Sequence, residues 1–291
     1  MLWVWFTLLA ALMQSFRNAL QKELSREVSV LAATLARFIY AGPLAALYLW
    51  VLYQRDDAIW PTFHWSFYGY VVGAALMQIL ATALMVQVFR QRNYAIGVGL
   101  AKSEAIFAAV LGMLFFASPL SWLGWLGVIA GSVAIFLLSG VKDWRQLPLS
   151  TSLYGAGSGA AFALTSLWVR EASLVLELPF PFGAGWVLVS VICTQTLLLC
   201  SYLMLRDRAS LWALWQRPRL TLLTSLCSGI GSFGWFSAMS LMSVPVVKTL
   251  GQVEVLFTLL LSHFWFKEKL KGQDGLGLAL VVLAAVLVLW A

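Results

Sequence analysis

The sequence predicts an all-α integral membrane protein of about ten transmembrane helices, arranged as two five-helix repeats of opposite orientation. Three observations carry that prediction. Charge is too scarce for a water-facing surface, the chain repeats itself at an offset of 150 residues, and the basic residues are unevenly shared among the loops.

Of the 291 residues, 62% are hydrophobic and 11% charged, with a mean hydropathy of +0.87. A soluble domain carries roughly 25% charged residues, because its surface must be hydrated. The surplus apolar surface here calls for lipid. In a soluble chain a net charge of +7 would suggest nucleic acid. Here the cations sit in short connections between apolar runs, the pattern of membrane topology, so nucleic acid is not an expected partner. Cys193, Cys200 and Cys227 lie inside apolar runs without CxxC or Cys/His spacing; they read as packing residues, and neither metal nor cofactor is expected.

A spanning helix needs about 20 mostly apolar residues, and ten such runs follow one another. The first, 2–20, opens on Met1-Leu2-Trp3-Val4-Trp5-Phe6 with its nearest cation, Arg17, behind it. A cleaved signal peptide has the reverse order, so this run is a retained helix. Runs at 28–53, 66–89 and 94–117 come next, and the fifth, 120–140, follows the tight link Ala117-Ser118-Pro119-Leu120. The second set is 151–169, 183–205, 220–243, 245–266 and 272–290, with Ser243-Val244-Pro245 as its tight link. Such short links make neighbouring helices antiparallel, and proline starts a helix better than it continues one. Trp3, Trp5, Trp50, Trp60, Trp65, Trp122, Trp144 and Trp290 mark run ends, as an interfacial belt does.

Sliding residues 94–139 onto 244–289 aligns Glu104 with Glu254, Phe107 with Phe257, Phe116 with Phe266, Leu120 with Leu270 and Gly127 with Gly277. Lys22-Glu23 and Arg170-Glu171 also stand at similar places after the first and sixth runs. The two repeats are therefore 1–145 and 146–291. Five spans is an odd number, so the second repeat enters the membrane from the opposite side, as in inverted-repeat transporters. Loop charge tests this independently. Fourteen basic residues (Arg17, Lys22, Arg26, Arg90, Arg92, Lys142, Arg145, Arg206, Arg208, Arg217, Arg219, Lys267, Lys269, Lys271) fall on one side and two, Arg55 and Arg170, on the other. The positive-inside rule makes the crowded side cytoplasmic, with both termini outside. A cell membrane is the expected location, the bacterial inner membrane in particular.

Ionisable groups inside a span cost at least ~2.5–3.5 kcal/mol on insertion scales. Glu104 and Glu254 stand nine to ten residues into their runs, roughly 14–15 Å deep at about 1.5 Å per residue, and Arg37 reaches a similar depth. Lys102 is close by, whereas Lys248 lies only about 5 Å in by the same rise and could snorkel. Small residues share the face of each glutamate: Gly97, Ala101, Ala108 and Gly112 in one repeat, Gly251, Thr258 and Ser262 in the other. Either the carboxylates close buried ion pairs with Arg37, Lys102 or Lys248, or they line a pathway and bind substrate or a proton. Arg37 could clamp a substrate carboxylate or neutralise a glutamate. Arg17 reads as a topology charge near a helix end. Gln14, Asn18, Gln78, Tyr40 and Gln195 default to interhelical hydrogen bonding, with substrate contact as the alternative. Trp168 and Trp235 lie deep enough to face a cavity. Arg37, Lys102, Glu104 and Glu254 sum to zero, which favours a zwitterionic or neutral solute.

The two repeats, together with the turns Phe115-Phe116-Ala117-Ser118-Pro119-Leu120 and Trp265-Phe266-Lys267-Glu268-Lys269-Leu270, resemble the drug/metabolite transporter superfamily and its EamA-type ten-helix members. The second turn fits the family pattern through Glu268, Leu270 and Gly277; the first has Ser118 in place of the glutamate. The resemblance implies export or exchange of a small metabolite by alternating access. Members with ten helices commonly have cytoplasmic termini, opposite to the side given by the loop charges. The expected function is secondary transport of a small polar or amphipathic solute, with protons as candidate coupling ions and a homodimer allowed. A flippase for a lipid-linked substrate is the alternative. A membrane-embedded enzyme is not expected, since Ser158 in Gly157-Ser158-Gly159 has no recognisable base.

Overall fold

Every regular element among the described residues is a helix. The computed structural model describes residues 1–55, 59–91, 94–138, 148–265, 267 and 274–291, with side chains at all of these except 94–97, 262 and 274. The expected repeat boundary at 145, the loop cations Arg92, Lys142, Arg145, Lys269 and Lys271, and the turn residues Phe266, Glu268 and Leu270 lie outside them. So does the side chain of Ser262 on the second small-residue face.

The first half holds α1 (Leu2–Leu24), α2 (Val30–Leu35), α3 (Ala41–Arg55), α4 (Trp65–Gln91), α5 (Tyr94–Ala101), α6 (Glu104–Phe115) and α7 (Trp122–Leu138). The second holds α8 (Leu149–Val175), α9 (Phe182–Arg206), α10 (Arg208–Gln216), α11 (Pro218–Leu241), α12 (Val244–Leu250), α13 (Glu254–Phe264) and α14 (Asp274–Leu289). Shifting the first set by 150 residues lays α1 on α8, α3 on α9, α4 on α11, α5 on α12, α6 on α13 and α7 on α14. Ala117 and Lys267, equivalent under this shift, both adopt positive φ, 44° and 55°.

Contacts follow the same two-fold relation. α1 packs on α11 while α4 packs on α8, and α7 packs on α14. α6 lies beside α12 and α5 beside α13, so the two interrupted segments run antiparallel past each other. Close approach depends on small residues. A Cβ at Gly159 of α8 would stand 2.9 Å from the Glu104 amide nitrogen and 3.2 Å from the Ala101 carbonyl oxygen, and one at Gly234 of α11 would stand 2.7 Å from the Phe6 carbonyl oxygen.

Three runs expected as single helices are interrupted. In 28–53, Pro43 cannot donate to the Ile39 carbonyl; the chain turns through 36–40, and α3 starts at Ala41. In 94–117, α-helical bonding gives way to i→i+3 bonds around Lys102 and Ser103, with Ser103 N–H donating to Leu100 O at 3.2 Å and Ile106 N–H to Ser103 O at 3.0 Å. In 245–266 the 3-10 turn Gly251–Val253 separates α12 from α13. Mid-helix 3-10 turns of this kind often mark functional hinges. A further departure is α10, in a stretch expected as loop. Asp207 caps it by accepting the Ser210 N–H at 3.1 Å, and Trp212 and Trp215 are exposed beside buried Leu214.

Among the described residues, five segments are long and apolar enough to cross a membrane: Trp65–Gln91, Val98–Phe115, Phe182–Arg206, Pro218–Leu241 and Val244–Leu261. Trp122–Leu138 and Gly275–Leu289 are apolar but shorter. α1 and α8 have the length but carry polar residues, because they line the centre. The outer surface is apolar, with Leu80, Leu114, Ile129, Leu197, Leu223 and Val282 exposed, while serines, threonines and charges are buried inside. That inversion of the soluble pattern is what lipid as solvent requires.

Candidate functional site

Two of the interruptions, in 94–117 and 245–266, deliver their charged residues to one place. Glu104 and Glu254 are each the first residue of the helix that follows a break, α6 and α13. The positive end of each helix dipole therefore supports a carboxylate. Lys102 directly follows the end of α5, and Lys248 sits in the last turn of α12, where the dipole favours a cation.

The ion pairs cross between the halves. Lys102 Nζ lies 2.5 Å from Glu254 Oε2, and Lys248 Nζ lies 2.7 Å from Glu104 Oε1. All four side chains are buried. A buried pair is tolerable only where the remaining lone pairs are also satisfied. Glu254 meets that condition: Gln14 Nε2 donates to Oε2 at 2.6 Å and Asn18 Nδ2 to Oε1 at 3.0 Å. The Ser166 hydroxyl donates to Glu104 Oε1 at 3.2 Å. Trp235 closes the cluster. Its indole N–H donates to Gln14 Oε1 at 2.8 Å, and its ring lies 4.1 Å from Lys248 Nζ and 5.8 Å from Lys102 Nζ, a cation–π arrangement.

Lys248 does not snorkel as its depth count allowed. That count took the start of the helix as the membrane surface, yet Val244 and Val247 at that start are fully buried. Their corner is secured by Arg170, whose Nη1 donates to the Met239 and Met242 carbonyls at 2.6 and 2.7 Å. Arg17 is not a loop charge: α1 continues to Leu24, and the guanidinium is buried against Asn18 Oδ1 and Gln14 Oε1. Gln14, Arg17, Asn18 and Gln21 form one polar helical stripe, a signal present in the sequence. Ser166 had no such signal.

Arg37 reaches neither glutamate. Nε donates to Ser228 Oγ at 3.0 Å and Nη1 to Thr82 Oγ1 at 2.7 Å, in the turn between α2 and α3. Tyr40 is held by its backbone N–H to Ser225 Oγ at 2.9 Å, with its ring edge-on to Trp215, away from the carboxylates. Gln78 Oε1 accepts from Gln195 Nε2 at 2.6 Å, tying α4 to α9. Trp168 packs on Gly73 of α4, and the Ser158 hydroxyl donates to the Ala81 carbonyl at 2.8 Å.

Between Gln14, Asn18, Lys102, Glu104, Phe162 and Glu254 remains a space of about 10 Å³, room for one water at most. The centre is closed. No group of His, Cys, Asp and Glu among the described residues is placed to hold a metal ion.

The family description of EamA-like transporters matches this chain twice, at residues 1–140 and 149–290. One solved crystal structure is similar over 98% of this chain and 96% of its own, with a TM-score of 0.74 and 16% sequence identity; at that identity the likeness is one of fold. No curated protein matches the chain. With apolar membrane-crossing helices, two matched repeats and a buried ionic centre between them, the chain belongs to the EamA-like transporter family, membrane transporters of the drug/metabolite type.

Proposed function

We propose that the chain crosses the membrane ten times and is a secondary active transporter, exporting or exchanging a small polar or amphipathic metabolite by alternating access. α2–α3, α5–α6 and α12–α13 each count as one interrupted span, and α10 lies on the cytoplasmic surface among Arg206, Arg208, Arg217 and Arg219. Both termini then face away from the cytoplasm, and the chain resides in the bacterial inner membrane.

The observation that carries the reading is the crossed pairing of Lys102 with Glu254 and Lys248 with Glu104. Each pair joins one half to the other at the start of a half-helix, the place where broken-helix transporters bind solute and coupling ion. Opening the centre requires these pairs to exchange their partners for solute, water or a proton, and rocking of the halves would then expose the carboxylates to each side in turn. Expressed at normal levels, Glu104→Gln and Glu254→Gln should abolish transport or uncouple it from the proton gradient. A substrate found by screening a deletion strain against amino acids, amines and toxic analogues supplies the assay. Wild-type flux with unchanged pH dependence from both variants would sink the reading.

A flippase is the second reading. A side groove of about 300 Å³ opens between α3, α9 and α11, lined by Leu44, Tyr48, Leu188, Leu226, Ile230 and Phe233. Its apolar walls would suit an acyl chain. Flipping of labelled lipid by reconstituted protein separates it from solute transport.

A further inference from the structure

The buried centre is more basic than the residues first assigned to it. Arg37, Lys102, Glu104 and Glu254 alone balance. Burial of Lys248 in the same region makes three cations against two carboxylates, an excess of one positive charge among Arg37, Lys102, Lys248, Glu104 and Glu254. Among the described residues, the other carboxylates of the chain lie near helix ends or in connections.

Arg37 shows where an anion would bind. Its side chain is 1% exposed. Its hydrogen-bond partners are two neutral hydroxyls, Ser228 on α11 and Thr82 on α4, and the Phe38 ring lies 5.2 Å from Cζ. No carboxylate lies within ion-pair distance, and Nη2 makes no hydrogen bond among the described residues. A guanidinium taken out of water without a counter-charge is unfavourable. The two hydroxyls fix its plane and leave Nη2 without a hydrogen bond among the described residues. The Phe162 ring, 5.9 Å from Arg37 Cζ, is also a wall of the small space beside Lys102, Glu104 and Glu254. One aromatic ring therefore borders both the Arg37 guanidinium and the space beside the ionic cluster.

We infer that the transported solute is a small organic anion whose carboxylate or phosphate group is held by Arg37, with Phe162 moving aside to join that site to the cluster. A planar guanidinium edge matches both oxyanions bidentately. The anion supplies the counter-charge that Arg37 lacks in contact. The inference rests on the transporter reading and narrows its substrate class.

The test uses the purified full-length protein and a matched panel: succinate, 4-aminobutyrate and putrescine as dianion, zwitterion and dication of similar length, with inorganic phosphate and glycerol phosphate as the second oxyanion type. Thermal unfolding reads binding, and counterflow in proteoliposomes reads transport. The expected result is stabilisation of wild type at millimolar succinate or at millimolar phosphate compounds, the stronger arm naming the oxyanion. Putrescine and 4-aminobutyrate should give none. Arg37→Met should weaken anion binding about tenfold or more, the loss expected of a charged hydrogen bond, and Arg37→Lys should restore part of it. The wild-type comparison stands by itself if Arg37→Met does not fold. Stabilisation by putrescine or 4-aminobutyrate, no stabilisation by any anion, or an undiminished anion effect in Arg37→Met overturns the inference. Anion binding without counterflow contradicts the transporter reading and supports the anion site; counterflow of putrescine or 4-aminobutyrate does the reverse.

Discussion

Lys102 of the first half and Glu254 of the second lie 2.5 Å apart, both buried, so the two repeats are joined at the centre by a charge from each. The glutamates are equivalent under the 150-residue shift and the lysines are not. Lys102 falls on Gln252, and Lys248 falls on Val98. The duplication therefore carried the carboxylates, while each half found its cation at a different position. Gln252 is buried, and neither of its side-chain polar atoms has a partner among the described residues.

Removing one member of this pair should be worse than removing both. Lys102→Met leaves Glu254 charged and buried, a change that typically costs about 3–5 kcal/mol. Lys102→Met combined with Glu254→Gln should regain most of that loss, since Gln14 and Asn18 can still bond the amide. Thermal unfolding of the purified variants reads the difference. Equal destabilisation of the single and double variants would count against a buried pair.

Gly159 sets how closely α8 approaches the break before Glu104. Gly159→Ala places a Cβ against backbone atoms, which cannot rotate away, and should cost about 1–3 kcal/mol as overpacking does. Gly69→Ala is the control, because nothing lies within 4 Å of the added atom. Its melting temperature should not fall.

Arg170 caps the end of α11 through two carbonyls. Arg170→Met should destabilise by about 1.5–3 kcal/mol, the range for charged hydrogen bonds, and speed amide exchange at 243–248 more than in α4. Uniform exchange across both regions would show that Arg170 does not hold this corner.

Asp207 supplies a pH dependence outside the spans. Hydrogen bonds from Ser210, and then from Ser29, hold its carboxyl below the ordinary 3.8. A lowered folded-state value means the contribution is present above the unfolded value and is lost as pH falls through the folded one. Acidification below the ordinary carboxylate range should therefore loosen the start of α10, seen as faster proteolysis near Asp207. Ser210→Ala should move that loosening to higher pH.

How much of this was legible follows from the kind of signal each feature leaves. The repeat was visible because Glu104 and Glu254 are rare in apolar helices and keep an ungapped spacing, and the helices of both halves follow that same spacing. The break at Pro43 had a local cause in the sequence. The break at Gly251 starts on a glycine, a weak helix former, but the break at Lys102 had no such cause: Leu100-Ala101-Lys102-Ser103-Glu104 contains no helix breaker, and the turn forms where the two segments pass each other and exchange ion pairs. Arg17 was misread because α1 was ended at residue 20, although the polar stripe Gln14, Arg17, Asn18, Gln21 already pointed inward. Of the two readings open for Arg37, a clamp for a substrate carboxylate or a neutraliser of a glutamate, the second fails: it meets two hydroxyls and neither glutamate, since depth in a span says nothing about the helices facing it.

The central claim is that the crossed pairs are the moving parts of a transport cycle and not merely its fasteners. The most direct measurement is flux and its pH dependence in proteoliposomes containing Glu104→Gln or Glu254→Gln, each reconstituted at wild-type levels and checked for folding. Lost flux, or flux no longer driven by a proton gradient, is the predicted result for each variant. Folded variants that both transport at the wild-type rate with the wild-type pH profile would contradict it.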